Sequence, residues 1–220
     1  MKSYKIHLIR TGSTSADPWK RYVGQSDLPL CDRGRDDLEA LRVQYIYPSV
    51  ELVFSSPLTR CRQTAGILYP NREVIPVEGL MDMNLGDFEG RTFEELRGNA
   101  DFSAWLANSF ENPPPGGEDT VSFTGRIVEA LDRVLRGMMA QDATSAAAVT
   151  HGGVIMTLLA AVGLPRVPLH QWAVANGTGY TLRVNTGMWM RDRTVEVAGF
   201  LPDQPVTDDM ETYGLYGEEE

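Results

Sequence analysis

The sequence predicts an α/β protein, a three-layer α/β/α arrangement around a mostly parallel sheet, with a small helical cap inserted. Three observations predict it. Apolar runs of strand length alternate with stretches of helical periodicity along the 220 residues. The strand candidates are continuously hydrophobic, as in a sheet covered on both faces. Residues 79–118 then break the alternation with a glycine-punctuated loop and short helices.

The first strand is expected over Tyr4–Ile9, followed by a long polar loop to about Leu30. A helix over 33–46 places Leu38, Leu41 and Tyr45 on one face. "ELVFSS" reads as a short buried strand, and Leu58, Cys61, Ala65 and Leu68 have the spacing of a helix packed on a sheet. "REVIPV" is a further strand. Short helices near Phe93–Leu96 and Phe102–Leu106, the latter bringing Trp105 to the cap, end at "NPPPGGE", whose prolines and glycines cannot sit inside a helix. Ile127, Val128, Leu131, Val134, Leu135 and Met138 mark the longest amphipathic helix. "SAAAVTH" is a strand, "GGVIMTLLAAVG" a buried helix, and "YTLRV" with "RTVEVAGFL" a closing hairpin. One domain is expected over 1–203, with a solvated, partly disordered acidic tail at 204–220.

Bulk properties narrow the function classes. A hydrophobic fraction of 42% supports one sizeable core. No apolar run reaches 18 residues, so no membrane span is expected, and the N-terminal run is too short for a signal peptide. Cys31 and Cys61 fit no metal spacing and make a poor disulfide framework, which points to a reduced cytoplasmic compartment. A net charge of −10 argues against nucleic-acid or anionic-membrane partners. An acidic chain that binds an anion must therefore concentrate its arginines locally.

In open parallel sheets, ligands sit at the carboxyl ends of the strands. Three charged positions fall there: Arg10 in "LIRTGST", Arg60 in the run after "VFSS", and His151. Singly each has an ordinary reading, as a surface arginine, a solvated helix residue and a buried satisfied histidine. Together they point to one site. His7, inside the first strand, and His170, in a late loop, read as structural.

"LIRTGST", "GQSDLPLCDRG", "FSSPLTRCRQTA", "MDMNLGDFEGRTFEEL", "PPPGGED" and "VTHGGVI" occur in the order found in the histidine phosphatase superfamily. The chain resembles that family from residue 4 to about 160. The resemblance implies a phosphoglycerate mutase-like fold and a phosphoryl site. Arg10 and Arg60 would clamp the phosphate, His151 would stabilise the transferring group, and Asp82 would protonate the leaving oxygen. Asp17 falls where the family commonly has a phosphate-contacting asparagine. Arg21, Tyr22 and the loop carrying Met81, Met83 and Phe88 would wall the pocket. No metal or other cofactor is expected, since "GTGY" near residue 177 is too weak a signal. The expected partner is a phosphorylated small molecule or inorganic phosphate, and exposed apolar positions on the closing hairpin are compatible with a homodimer.

The departures from the family pattern bear on function. The family has Arg-His-Gly where this chain has Arg10-Thr11-Gly12, and the missing histidine is the nucleophile. A threonine hydroxyl is a weak nucleophile without an adjacent base, and its phosphate would be an ordinary ester. Asp17 puts a carboxylate beside the expected dianion. Asp82 is one methylene shorter than the family's glutamate, and Asp119 replaces the serine of the "GGES" motif. Several departures together are the pattern of natural divergence. The sequence thus predicts a phosphate-binding member of the family with hydrolysis lost or severely weakened. The alternatives are a working phosphomonoesterase of alpha-ribazole-phosphate or sugar-phosphate type that uses water or Thr11 with His151 and Asp82, an inactivated form of such an enzyme with Thr11 introduced, and a scaffold with a vestigial pocket.

Overall fold

Strand β1 (Ser3–Arg10) lies at the middle of a seven-stranded sheet because both of its faces are apolar. Tyr4, Ile6 and Leu8 are buried in one core layer and Ile9 in the other. The computed structural model describes residues 2–205. Helix α1 (Asp32–Gln44) follows the long loop, capped by the Cys31 sulfur, which accepts from the Gly34 N–H. It stops before Tyr45, which instead opens β2 (Tyr45–Ile46). Next come β3 (Leu52–Ser55), α2 (Thr59–Leu68) and β4 (Val74–Pro76).

Short helices α3 (Phe93–Leu96) and α4 (Ala100–Ala107) precede α5 (Thr120–Ala140), the longest helix. Asp119 is the N-cap of α5, its carboxylate accepting from the Ser122 N–H at 2.9 Å. A serine at an N-cap accepts in the same way, so this departure has a local physical reason. Strand β5 (Ser145–Thr150) leads into α6 (Gly152–Val162) and β6 (Gly163–Leu164). The expected closing hairpin is antiparallel β7 (Gly179–Asn185) and β8 (Val195–Leu201), joined through helix α7 (Thr186–Asp192) instead of a tight turn. Gln204–Pro205, the first residues of the expected acidic tail, form β9 and pair with β2. The rest of the tail lies outside the described residues.

The strand order is β4-β3-β5-β1-β7-β8-β6, and β7 alone runs against its neighbours. The sheet is therefore mostly parallel, as the alternation of elements predicts. Alternate residues of one strand feed different layers: Ala146 and Ala148 face α5 and α6, while Ala147 and Val149 face the α1/α2 side. A third cluster, Leu85, Phe88, Leu96 and Phe102, stands apart under α3 and α4, with Tyr22, Met83 and Trp105 packed against it. Ring centroids of Tyr22 and Phe88 lie 5.3 Å from Phe102 in edge-to-face geometry. Phe102→Ala is expected to cost about 3 kcal/mol, by loss of buried area plus the cavity left behind. Hydrogen exchange should then rise over residues 85–107 and leave β1 and β5 protected. Uniform loss of protection would contradict a separate cap cluster.

Candidate active site

The parallel ladder brings the expected residues to one level. Arg10 is opposite Thr150 in the β1/β5 register, and Ser55 is opposite Val149 in the β3/β5 register. The chain leaves the sheet at these points, so Arg10, His151 and the start of α2 emerge side by side. A cavity of about 180 Å³ opens there. It is lined by Arg10, Thr11, Asp17, Arg21, Arg60, Asp82 and His151 of the expected set, together with Gly12, Thr14, Ala16, Val23, Gly152 and Asn176. A larger, shallower groove of about 650 Å³ follows α5 past Asp132 and Arg136. Its Asp132 pairs with Arg136 and Arg193, and it holds none of the expected residues.

Two buried or half-buried guanidiniums face this cavity, and backbone carbonyls hold each of them. Arg10 donates to Val174 O at 2.6 Å. Arg60 donates to Ser26 O at 2.8 Å and Gly24 O at 2.6 Å. The "GQSD" segment also fixes where α2 and Arg60 start, because the Asp27 carboxylate accepts from Thr59 N at 2.7 Å and caps that helix. Glu89 anchors the same segment, accepting from the N–H groups of Gly24 and Gln25 and from the Ser26 hydroxyl. Each guanidinium keeps further N–H groups for an anion, which suits planar, bidentate recognition of phosphate oxygens.

His151 is buried. Its Nδ1 accepts from Arg60 Nε at 3.3 Å, so the ring proton sits on Nε2 and is donated to the Ser56 hydroxyl at 3.0 Å. Burial, then the charges of Arg60, Arg126 and Arg10, hold its pKa well below the ordinary 6.5, so the imidazole is neutral at pH 7. The glycines that follow are there for close approach. A Cβ on Gly152 would lie 3.3 Å from Arg10 Nε, and one on Gly153 would lie 2.8 Å from Asp82 Oδ1. The first N–H groups of α6 have no intrahelical partner, which adds a partial positive charge at the cavity wall.

Thr11 is buried, and its hydroxyl meets Thr64 Oγ1 at 3.2 Å and Gly12 O at 3.3 Å. Thr64 gives its own proton to Arg60 O at 2.8 Å and accepts from Gly12 N at 3.0 Å. Thr11 is therefore the donor in the pair, and both of its acceptors are neutral oxygens. Neither can take a proton to make an alkoxide. Cys61 is a further potential nucleophile near Thr11, with its sulfur 3.4 Å from His151 Nε2. Burial pushes its thiol up to about 12, and it lies outside the cavity wall.

Asp17 is turned into its own loop, where one carboxylate oxygen accepts from the N–H and hydroxyl of Thr14 at 2.6 and 2.8 Å. This reduces the clash with an anion that the sequence raises. Arg21 lines the cavity while donating to Gly90 O. Tyr22 and Met83 do not line it. Both pack against the cap cluster, and Phe88, also expected at the wall, is fully buried there. Their apolar surface is better removed from water beneath α4 than left at the rim. Sequence reasoning missed Asn176, whose side-chain amide donates to Thr11 O at 2.8 Å. It directly precedes the weak "GTGY" stretch, and the β1/β7 pairing brings it near. Among the described residues, no group of three His, Cys, Asp or Glu could hold a metal ion, and no helix is long and apolar enough to cross a membrane.

Asp82 stands 3.9 Å from His151 Nδ1. Burial raises its pKa from 3.8 to about 6, against the opposing pull of the Met83 N–H, Arg60 and Arg126, with Glu89 adding to the rise. A folded-state value above the unfolded one means that the folded chain holds more protons between about pH 4 and 6. Stability is thus lost as pH rises through that window, and the cost persists above it. Asp82→Asn should stabilise the protein by about 1–2 kcal/mol at pH 7.5 and by nothing measurable at pH 4, read from urea unfolding at both values. An equal gain at both would show that ionisation is not the cause.

Comparison with known proteins places the chain among phosphatases and mutases of similar sequence and fold. The family model described as "Histidine phosphatase superfamily (branch 1)" matches residues 6–196. The chain is 27% identical over 187 residues to the adenosylcobalamin/alpha-ribazole phosphatase of Escherichia coli (strain K12), which covers 82% of this chain and 90% of that protein. It is 29% identical over 188 residues to the glucosyl-3-phosphoglycerate phosphatase of Mycolicibacterium vanbaalenii, covering 81% and 82%. The crystal structure of the alpha-ribazole phosphatase from Shigella flexneri superposes with a TM-score of 0.73 at 25% identity, covering 88% and 94%. A phosphoglycerate mutase from Bacillus anthracis shares the fold with a TM-score of 0.72 at 20% identity, covering 89% and 92%.

Proposed function

This chain belongs to the histidine phosphatase superfamily, and on that basis we propose that its cavity binds inorganic phosphate or the phosphate group of a phosphorylated small molecule. Hydrolysis is lost or severely weakened, because Thr11 stands where the family's nucleophilic histidine stands. Arg10 and Arg60 neutralise the anion, His151 and the start of α6 complete the wall, and Asp82 faces the ester oxygen. The observation that carries this reading is the bonding of Thr11, whose proton goes to Thr64 or Gly12 O and to no base. The relatives named for alpha-ribazole and glucosyl-3-phosphoglycerate support a small phosphorylated metabolite as ligand. The free cysteines Cys31 and Cys61 suit a reducing, cytoplasmic compartment.

Loss of a catalytic nucleophile elsewhere costs on the order of 10⁶ in kcat, while binding and electrostatic stabilisation survive. The same division is expected here: the anion site is intact and the attacking group is gone. A second reading rests on Asp82. A carboxyl that keeps its proton up to about pH 6 is what a general acid needs. In that case water attacks phosphorus directly and no phosphoprotein forms.

Thr11→His is expected to hydrolyse p-nitrophenyl phosphate at least about 10³-fold faster than the unaltered chain, since it restores only the nucleophile. Equal rates in the two proteins would refute the assignment of position 11. Arg10→Ala should abolish phosphate binding measured by calorimetry, and unchanged affinity would rule out this cavity as the anion site.

A further inference from the structure

The proton donor position has its own support, built from α5 and separate from the two arginine clamps. The Arg126 guanidinium donates to the carbonyls of Gly79 at 3.1 Å, Met81 at 2.9 Å and Asp82 at 3.1 Å. Its remaining donors form a two-pronged pair with Glu118, at 2.8 and 2.6 Å. Glu118 in turn holds the next part of the loop: its N–H donates to Asn84 O at 2.8 Å. Residues 79–84 therefore curl around one ion pair whose side chains are about one-quarter and one-sixth exposed. Arg126 is seated on the longest helix, a rigid support whose inner face lies in the core, and Glu118 directly precedes that helix's N-cap Asp119. Gln25 Nε2 adds a third hold on this loop, at Asp82 O.

We propose that Arg126, locked by Glu118, is a positioning residue that aims the Asp82 carboxyl at the bound phosphate. This rests on the reading of the cavity as a phosphate site with Asp82 facing its ligand. Arg126 does not line the cavity, so besides the charge it exerts on Asp82 and His151 its hold on the site is through the loop backbone. Three carbonyl acceptors at residues 79, 81 and 82 need a forked donor. A lysine ammonium, with three donors on a flexible stem, cannot span them and Glu118 together.

The test uses sulfate, which stays a dianion from pH 5 to 7.5 and so carries no titration of its own. Several charged groups surround Asp82: His151 at the end of β5, Arg60 on α2, Arg126 on α5, and Glu89 after the preceding turn. Arg10, Asp17 and Arg21 line the same cavity. When Asp82 ionises it repels the anion, so sulfate affinity of the unaltered chain should fall about tenfold between pH 5 and 7.5. Asp82→Asn should remove most of that fall. The double variant Arg126→Met/Glu118→Leu removes the pair without stranding a charge. It should bind sulfate at pH 5 within about threefold of the unaltered chain and lose most of the pH dependence, because the released loop no longer presents Asp82.

A double variant with an undiminished fall, even at a shifted midpoint, overturns the proposal, since Arg126 would then act by charge alone. Loss of sulfate binding at every pH also overturns it, because the pair would then support the whole anion site. Should the double variant not fold, Arg126→Lys decides by the same readout: a reduced fall supports positioning and a full one refutes it. Failure of the underlying reading looks different. In that case the unaltered chain binds no sulfate, or Asp82→Asn keeps the full fall.

Discussion

The register of β1 against β5 is the constraint on which the site depends. With Arg10 opposite Thr150, the two strands end at the same level, and the next residues, Thr11 and His151, leave the sheet together. A slip of one residue would turn every inward side chain of β1 to the other face, which both core layers forbid. The Thr11 N–H still bonds to Thr150 O at 2.8 Å, so the ladder fixes the backbone of the very residue whose side chain lacks a base. Chemical position at residue 11 is thus inherited from the sheet and is independent of what the side chain can do.

The second constraint is electrostatic. Arg10, Arg60 and Arg126 all act on one neutral histidine, and like charges at this density must be held by acceptors. Backbone carbonyls supply them: Val174 for Arg10, Gly24 and Ser26 for Arg60, and the loop at 79–82 for Arg126. The long loops of the sequence are therefore ordered by the site's own side chains. Asp27 and Glu89 extend the scheme, one capping α2 and the other tying down residues 24–26. The result is a cavity wall held by its own backbone contacts, the kind of preorganisation that would lower the cost of the proposed anion binding.

Much of this was legible in the sequence because it is local or ordered along the chain. Continuous apolar runs gave the buried parallel strands, and Arg10, Arg60, Asp82 and His151 fall at strand ends or in loops whose composition singles them out. What stayed hidden depends on long-range contact. Asn176 reaches residue 11 only because β7 inserts beside β1. Ser56 accepts the His151 ring proton from a neighbouring strand end, and Arg126 lies on an amphipathic helix whose periodicity does not single out any one polar residue. Tyr22, Met83 and Phe88 were misplaced at the pocket wall because an apolar side chain near a site can face either the ligand or a small core, and periodicity does not distinguish the two. Helix α7 was missed for a related reason: at seven residues, it is too short for a periodic signal.

The most direct measurement follows a phosphomonoester mixed with an excess of the unaltered chain by phosphorus NMR, which sees bound ester, free phosphate and phosphoprotein separately. A cradle without an attacking group should give a saturable bound-ester resonance that persists, with no inorganic phosphate above the protein-free rate and no phosphothreonine. Release of phosphate within the first turnovers, or a covalent phosphoprotein signal, would contradict the proposed loss of hydrolysis.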